Sequence, residues 1–272
     1  MNNPMSAELV VSAATSLMRF VSDAAKKPLE PIRTARAVWA LSFSGTSLLG
    51  PLHDQIIGYL IRAQRADGGW SDPEETAWAA GAIGSLGEQS SLLVQTAAEW
   101  LDSVRKPTGG WGRHDRDQAR IPVTALIAAL VPDVVKPNDI TWISNQWQRD
   151  FEGTVRLSYK AGFFLLAMPE GHANPLVEQT IEHLAKDQND DGGFGPWKNH
   201  PIGSDPWSTG VVLWGLSRWI GLVDKDVIHK AIAWLERRQL PNGYWPYHYL
   251  DDGTSLALIG AVAAMKALAS LE

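Results

Sequence analysis

The sequence predicts an all-α protein: one (α/α)6 barrel, or toroid, of six helical hairpins filling a single domain over residues 1–272. The first observation behind this is a phrase that occurs four times. An aromatic- or His-Leu pair is followed by Gln or its stand-in, then by Gly and a large aromatic residue. The copies are Tyr59-Leu60…Gln64…Gly68-Gly69-Trp70, Trp100-Leu101…Gly109-Gly110-Trp111, His183-Leu184…Gln188…Gly192-Gly193-Phe194 and Trp234-Leu235…Gln239…Gly243-Tyr244-Trp245. The second is that each copy leads into a small polar residue and then an apolar run. The third is spacing: Trp70, Trp111, Phe151, Phe194 and Trp245 recur at roughly the 40 to 50 residues of one helical hairpin in a repeat protein.

The elements follow in order. Ala7 to Ala25 and Thr34 to Phe43 form a first hairpin without the Gly-aromatic turn. In the repeated hairpins the first helix ends at the Gln because Gly-Gly breaks it. Thr or Ser then starts a second helix, as in Thr76 to Leu86, Thr209 to Leu216 and Thr254 to Met265. These second helices are apolar around most of their circumference, so they are inner. The first helices have one apolar and one charged face, as in Ile228 to Arg238, so they are outer. Ile140 to Asp150 and Val155 to Met168 give a second degenerate hairpin. An open solenoid would need polar capping repeats. The last inner helix is as apolar as the middle ones, which favours closure.

Composition removes several classes. A formal net charge of −6 argues against a nucleic-acid binder. With no Cys there is no disulfide, thiolate zinc site or cysteine nucleophile. Met1 to Phe20 lacks a basic region followed by a continuous apolar core, so neither a signal peptide nor a transmembrane span is expected. A cytoplasmic location is the corresponding expectation. Thirteen Trp are a surplus that calls for a repeated packing role or an aromatic-lined cavity.

The repeated Gln…Gly-x-aromatic turn resembles the QW motif of the terpenoid cyclase and protein prenyltransferase superfamily, and it covers nearly the whole chain. The resemblance implies a barrel whose turns tie adjacent hairpins together. Class II terpenoid cyclases similar to squalene-hopene cyclase carry Asp-x-Asp-Asp-Thr-Ala at an inner-helix start, and its middle Asp protonates an alkene or epoxide. After the Phe194 turn this chain reads Asp205-Pro206-Trp207-Ser208-Thr209-Gly210, with Trp207 at the middle position. Asp72-Pro73-Glu74-Glu75-Thr76-Ala77 keeps the spacing with Glu at both later acids, and Asp251-Asp252 precede Thr254. The zinc site of the prenyltransferases uses Cys and cannot be assembled here in its usual form.

If every inner helix starts at one mouth, Asp72, Glu74, Glu75, Asp205, Asp251 and Asp252 gather there, with His200 and His248 near. A single carboxylate at a helix start satisfies free N–H groups and complements the dipole. Several in an apolar funnel cannot all ionise, so one becomes a neutral acid. Asp251 or Asp252, oriented by His248, is the first expectation for a general acid; Asp205 with His200 is the second; Glu74 and Glu75 complete the set. Trp207, Trp245, Tyr247 and Tyr249 would shelter cations, and Tyr159 would line the cavity. Arg113 and Arg116 have the fork geometry for a diphosphate. Arg156 and Lys160, four apart in the fourth inner segment, should pair with mouth carboxylates or meet a ligand. His53, His172, His183 and His229 read as surface positions.

The function expected is proton-initiated cyclisation or isomerisation of an isoprenoid or similarly apolar substrate with a non-standard acid, an isomerase or lyase. One alternative is a non-catalytic binder of a lipid or biosynthetic intermediate on the same fold. Another is a carbohydrate-active (α/α)6 enzyme, where paired carboxylates do general acid/base work. No cofactor and no metal site are expected, and Mg²⁺ enters only with a bound diphosphate. Peripheral membrane contact and a partner protein or domain are compatible with the sequence.

Overall fold

A computed structural model describes residues 4–27, 29–88, 91–114, 116–154, 156–171 and 174–271. His172, Asp115 of the Arg113 loop and Val155 at the fourth inner segment lie outside the described residues. Twelve α-helices are described, with no β-strand among the described residues. They are α1 (Pro4–Lys26), α2 (Pro31–Phe43), α3 (Pro51–Ala63), α4 (Pro73–Ile83), α5 (Leu92–Ser103), α6 (Ile121–Leu130), α7 (Pro137–Glu152), α8 (Ser158–Ala167), α9 (Pro175–Asp187), α10 (Pro206–Ser217), α11 (Lys225–Arg238) and α12 (Leu250–Ala269).

The chain divides into two compact units. One combines the described residues up to Ser16 with those from Trp147 onward; the other is Leu17–Gln146. In the Leu17–Gln146 unit, α2 packs on α4 and α4 on α6, while α3 and α5 lie against α4. In the other, α8 packs on α10 and α10 on α12, with α9 against α8 and α11 against α10 and α12. Even-numbered helices are therefore inner, as their apolar circumference requires. α12 is long and apolar enough by composition to cross a membrane, but 67 % of that stretch is buried, as in the core helix of a packed unit.

The inner helices of the second unit approach almost backbone to backbone. A Cβ added to Gly210 would lie 2.2 Å from the Leu256 carbonyl oxygen, and one on Gly215 the same distance from that of Gly162. Only glycine tolerates such an approach.

Each repeated turn is built alike. Gly68 and Gly192 take φ +93° and +91°, the left-handed region that stops the outer helix. The Gln side chain then bonds both its own turn and the next outer helix. Gln64 Nε2 donates to Gly68 O (2.8 Å) and Leu93 O (3.1 Å). Gln188 Nε2 donates to Gly192 O (2.8 Å) and Val227 O (2.9 Å). Gln239 Nε2 donates to Gly243 O (3.0 Å) and to Leu9 O of α1 (3.1 Å). The last turn thus treats the first helix as its successor, and Tyr244 Oη adds a bond to Ser16 O at 2.8 Å. In the Trp111 repeat the stand-in is Arg105, which bonds the fully buried Asp139 and Val134 O.

The Thr that follows each turn is not the start of its helix. Thr76, Thr209 and Thr254 sit one turn inside, because Asp72 and Asp205 cap α4 and α10 with Pro next and α12 begins at Leu250. Each Thr hydroxyl accepts the N–H of the turn aromatic: Trp70 to Thr76 at 2.9 Å, Trp111 to Thr124 at 3.0 Å, Phe194 to Thr209 at 2.9 Å and Trp245 to Thr254 at 3.0 Å. The sequence-predicted carboxylates therefore lie in the cap and first turn of their helices.

Candidate functional site

Two inner-helix starts carry a buried carboxyl group displaced toward its neutral form. At α4, Asp72 caps the helix by accepting the Glu75 N–H at 2.9 Å. Pro73 follows, where a missing N–H costs nothing. Glu74 is half-buried and faces Arg113 of the following loop at 3.7 Å. Glu75 is only 7 % exposed. Burial pushes its pKa above the ordinary 4.5; N–H and O–H donors of Ser71 and the Ile32 N–H oppose the shift, and the charge of Asp72 adds to it. The Ser71 N–H contact is long, 3.3 Å. Ile32 is in the first turn of α2, whose cap residue Glu30 makes no side-chain cap bond, so Glu75 answers one of that helix's open donors. Tyr59 shares the field: burial, then Glu75 and Glu30, raise its pKa. A cavity of about 280 Å³ opens beside this start, lined by Ser71, Asp72, Pro73, Trp100, Lys106 and Arg113. It lies near the small end of ligand sites.

At α10, Asp205 occupies the cap position. One carboxylate oxygen accepts the Ser208 N–H and the other the Ser208 hydroxyl, both at 2.7 Å. Burial raises its pKa, while the Ser208 and Trp207 donors and the charge of His248 oppose the rise. Trp207, next but one, has its ring 5.4 Å from Tyr159 and 5.8 Å from Phe163, both edge-on, and 6.3 Å from the parallel ring of Tyr247. At α12, Asp251 is buried and Asp252 half-buried in the first turn, and Tyr249 and His248 are exposed.

Several expected partnerships differ. His200 is not among the groups acting on Asp205: its ring packs edge-on against Trp197 at 4.2 Å and its Nδ1 accepts the Ile202 N–H at 3.2 Å. His248, assigned by sequence to Asp251 and Asp252, acts on Asp205 instead. Trp245 is fully buried and its indole N–H donates to Leu235 O at 2.8 Å, so it closes the turn rather than a cavity wall. Arg156 precedes α8, which begins at Ser158 where that residue's N–H bonds Pro196 O, and its guanidinium lies over Phe151 at 4.5 Å. Lys160 bonds Asp150 of α7 at 2.7 Å, a carboxylate outside the acidic set. Arg116 is exposed, whereas Arg113 and Glu74 come together. The role of Ile32 in holding Glu75 had no signal in the sequence, since the two are remote in the chain.

The geometry describes an all-helical protein with buried acids at inner-helix starts, and comparison places that fold among the type II terpene cyclases. The type II terpene cyclase MstE from Scytonema, solved with geranylgeranyl dihydroxybenzoate, superposes with a TM-score of 0.73 at 19 % identity, over 96 % of this chain and 99 % of that chain. No protein-family model matches. The chain is 28 % identical over 226 residues to drimenyl diphosphate synthase of Streptantibioticus cattleyicolor, 71 % of this chain and 41 % of that protein. It is 26 % identical over 155 residues to squalene–hopene cyclase of Zymomonas mobilis, 55 % of this chain and 20 % of that protein. The chain is thus terpenoid-cyclase-like in sequence and in fold, and it spans less than half the length of these curated relatives.

Proposed function

We propose that the protein is a class II-type terpenoid cyclase or isomerase that protonates an isoprenoid, with Glu75 as the acid. The observation that carries this is the α4 start: a buried glutamic acid held toward its neutral form, two carboxylates within three residues, and the family's acid spacing from Asp72 to Ala77. Glu74 has a cationic partner in Arg113 and Asp72 is a cap, so the proton is best held by Glu75. The Glu75 O–H breaks as a C–H bond forms on the alkene, leaving a tertiary cation. Cyclisation follows, and the cation is discharged by losing a proton or adding water. Such a step asks for a neutral acid in a dry site and aromatic faces for the cation.

A single (α/α)6 domain is part of the proposal, and the docking of the Gln239 turn on α1 supports ring closure. No cofactor is needed by this reading, and Mg²⁺ enters only with a diphosphate-bearing substrate.

The test is incubation of the purified protein with uncharged polyenes and prenyl diphosphates, followed by product analysis of wild type, Glu75→Gln, Glu74→Gln, Asp205→Asn, Asp251→Asn and Asp252→Asn. Loss confined to Glu75→Gln is expected. Loss confined to Glu74→Gln moves the acid to the family's middle position. Saturable binding without product from the wild type would leave a binding protein on the cyclase fold.

A further inference from the structure

We infer that Trp207 is a specificity-determining residue that closes the interior of its unit and limits the protein to short isoprenoid chains. This rests on the reading of the protein as an isoprenoid-binding cyclase. The argument begins with what the inner helices leave uncovered. In α10, side chains from Ser208 to Leu216 are 0–5 % exposed; in α8, Ala161 to Leu166 are 0–3 % exposed. In α12 everything from Gly253 to Ala264 is buried. The glycine contacts explain why, since Gly162, Gly210, Gly215 and Gly260 bring neighbouring backbones into contact and leave no slot between the helices. The partly exposed residues at the starts of these three helices are Tyr159, Lys160, Trp207 and Asp252. A ligand in this unit therefore meets a floor about one helical turn, roughly 5 Å, below the helix starts.

Trp207 is the centre of that floor. Three rings fix its indole from two elements: Tyr159 and Phe163 of α8 edge-on, and Tyr247 of the loop before α12 in parallel. Tyr247 reaches this position because residue 253 is glycine; a Cβ there would lie 2.5 Å from the Tyr247 Cβ and 3.3 Å from Pro206. Counted back from the conserved hydroxyl contact, Trp207 stands two residues before Thr209 as Glu74 stands two before Thr76. The same register that presents a carboxylate at α4 presents a large flat apolar surface at α10. An indole so braced cannot rotate aside without breaking three ring contacts, each worth about 0.5–1.5 kcal/mol beyond burial.

The experiment measures binding apart from turnover. Saturated isoprenoid alcohols of two, three, four and six isoprene units cannot be protonated at carbon, and their binding is read by thermal shift and tryptophan quenching. Wild type is expected to bind the two- and three-unit probes and to bind the four- and six-unit probes at least about tenfold more weakly, since even one ill-fitting methylene costs that much in a closed apolar pocket. Trp207→Ala should recover four-unit binding, and Trp207→Phe should keep the wild-type profile. Tyr247→Ala, which removes one brace, should shift the profile the same way by less, and serves if Trp207→Ala does not fold. Equal binding of all lengths by wild type, no binding of any probe, or an unchanged profile in folded Trp207→Ala or Tyr247→Ala overturns the inference. Binding with the expected profile but no turnover of unsaturated chains would overturn the cyclase reading and leave the length limit standing.

Discussion

At α4 and at α10 the chain turns the same corner. A Gly-aromatic turn precedes each, Asp caps the helix, Pro follows, and a Thr hydroxyl one turn in takes the aromatic N–H. The two residues between Pro and Thr differ: Glu74-Glu75 in one, Trp207-Ser208 in the other. Ser208 gives Asp205 both an N–H and an O–H, so each carboxylate oxygen has a donor and the group works as a cap. Glu75 gives Asp72 only its N–H, and its own carboxyl is buried against a like charge. Burial alone therefore does not make an acid; the donors facing the buried group decide whether its charge is welcome.

Product formation separates the two starts most sharply. Glu75→Gln should slow turnover about 10²- to 10⁴-fold, the usual weight of a general acid, while Asp205→Asn, which keeps the cap, should leave the rate near wild type. Wild-type activity should also fall as pH rises through Glu75's raised pKa, because the protonated form is the reactive one.

The feature shared by both starts gives the next effect. Thr76→Val and Thr209→Val each strand a buried N–H, of Trp70 and Phe194 respectively, and should each cost about 1–3 kcal/mol in urea unfolding. A large difference between them would mean the corners are not equivalent.

Asp205→Ala should cost about 0.5–2 kcal/mol, the loss of a cap, against a few tenths for Asp205→Asn. A Glu75-dependent slope in stability should be the smallest signal. A carboxyl whose pKa is higher folded than unfolded stabilises below its unfolded pKa, and that contribution is lost as pH rises through the folded value. Urea unfolding across that window should therefore show wild type losing stability relative to Glu75→Gln as pH rises above about 4.5. The opposite slope would mean that Glu75 is stabilised as a charge.

Much of the scaffold was legible in the residues. The glycines, the Gln side chains and the apolar inner runs are local signals, and the helices they mark are present within a few residues. Helix starts were misjudged by a turn because Asp-Pro before the Thr already begins the helix. The site was less legible. Asp72, Glu74 and Glu75 had the right spacing, yet Asp251 and Asp252 stood out more because they follow an aromatic run. Trp245 was read as a cavity wall for the same reason, although its indole N–H belongs to Leu235. His200 and His248 were assigned by proximity along the chain, while loop geometry put His248 within the field of Asp205.

The sequence by itself determined the repeat, the alternation of outer and inner helices, and the placing of carboxylates and aromatics at inner-helix starts. Those features depend on turn chemistry and helical periodicity, which act over a few residues. Only the tertiary structure decided which carboxyl group is neutralised, which is spent as a cap, and that the last turn docks on the first helix. Those outcomes depend on residues brought together from distant positions, Ile32 with Glu75, Tyr247 with Trp207 and Leu9 with Gln239, and desolvation is a property of such surroundings.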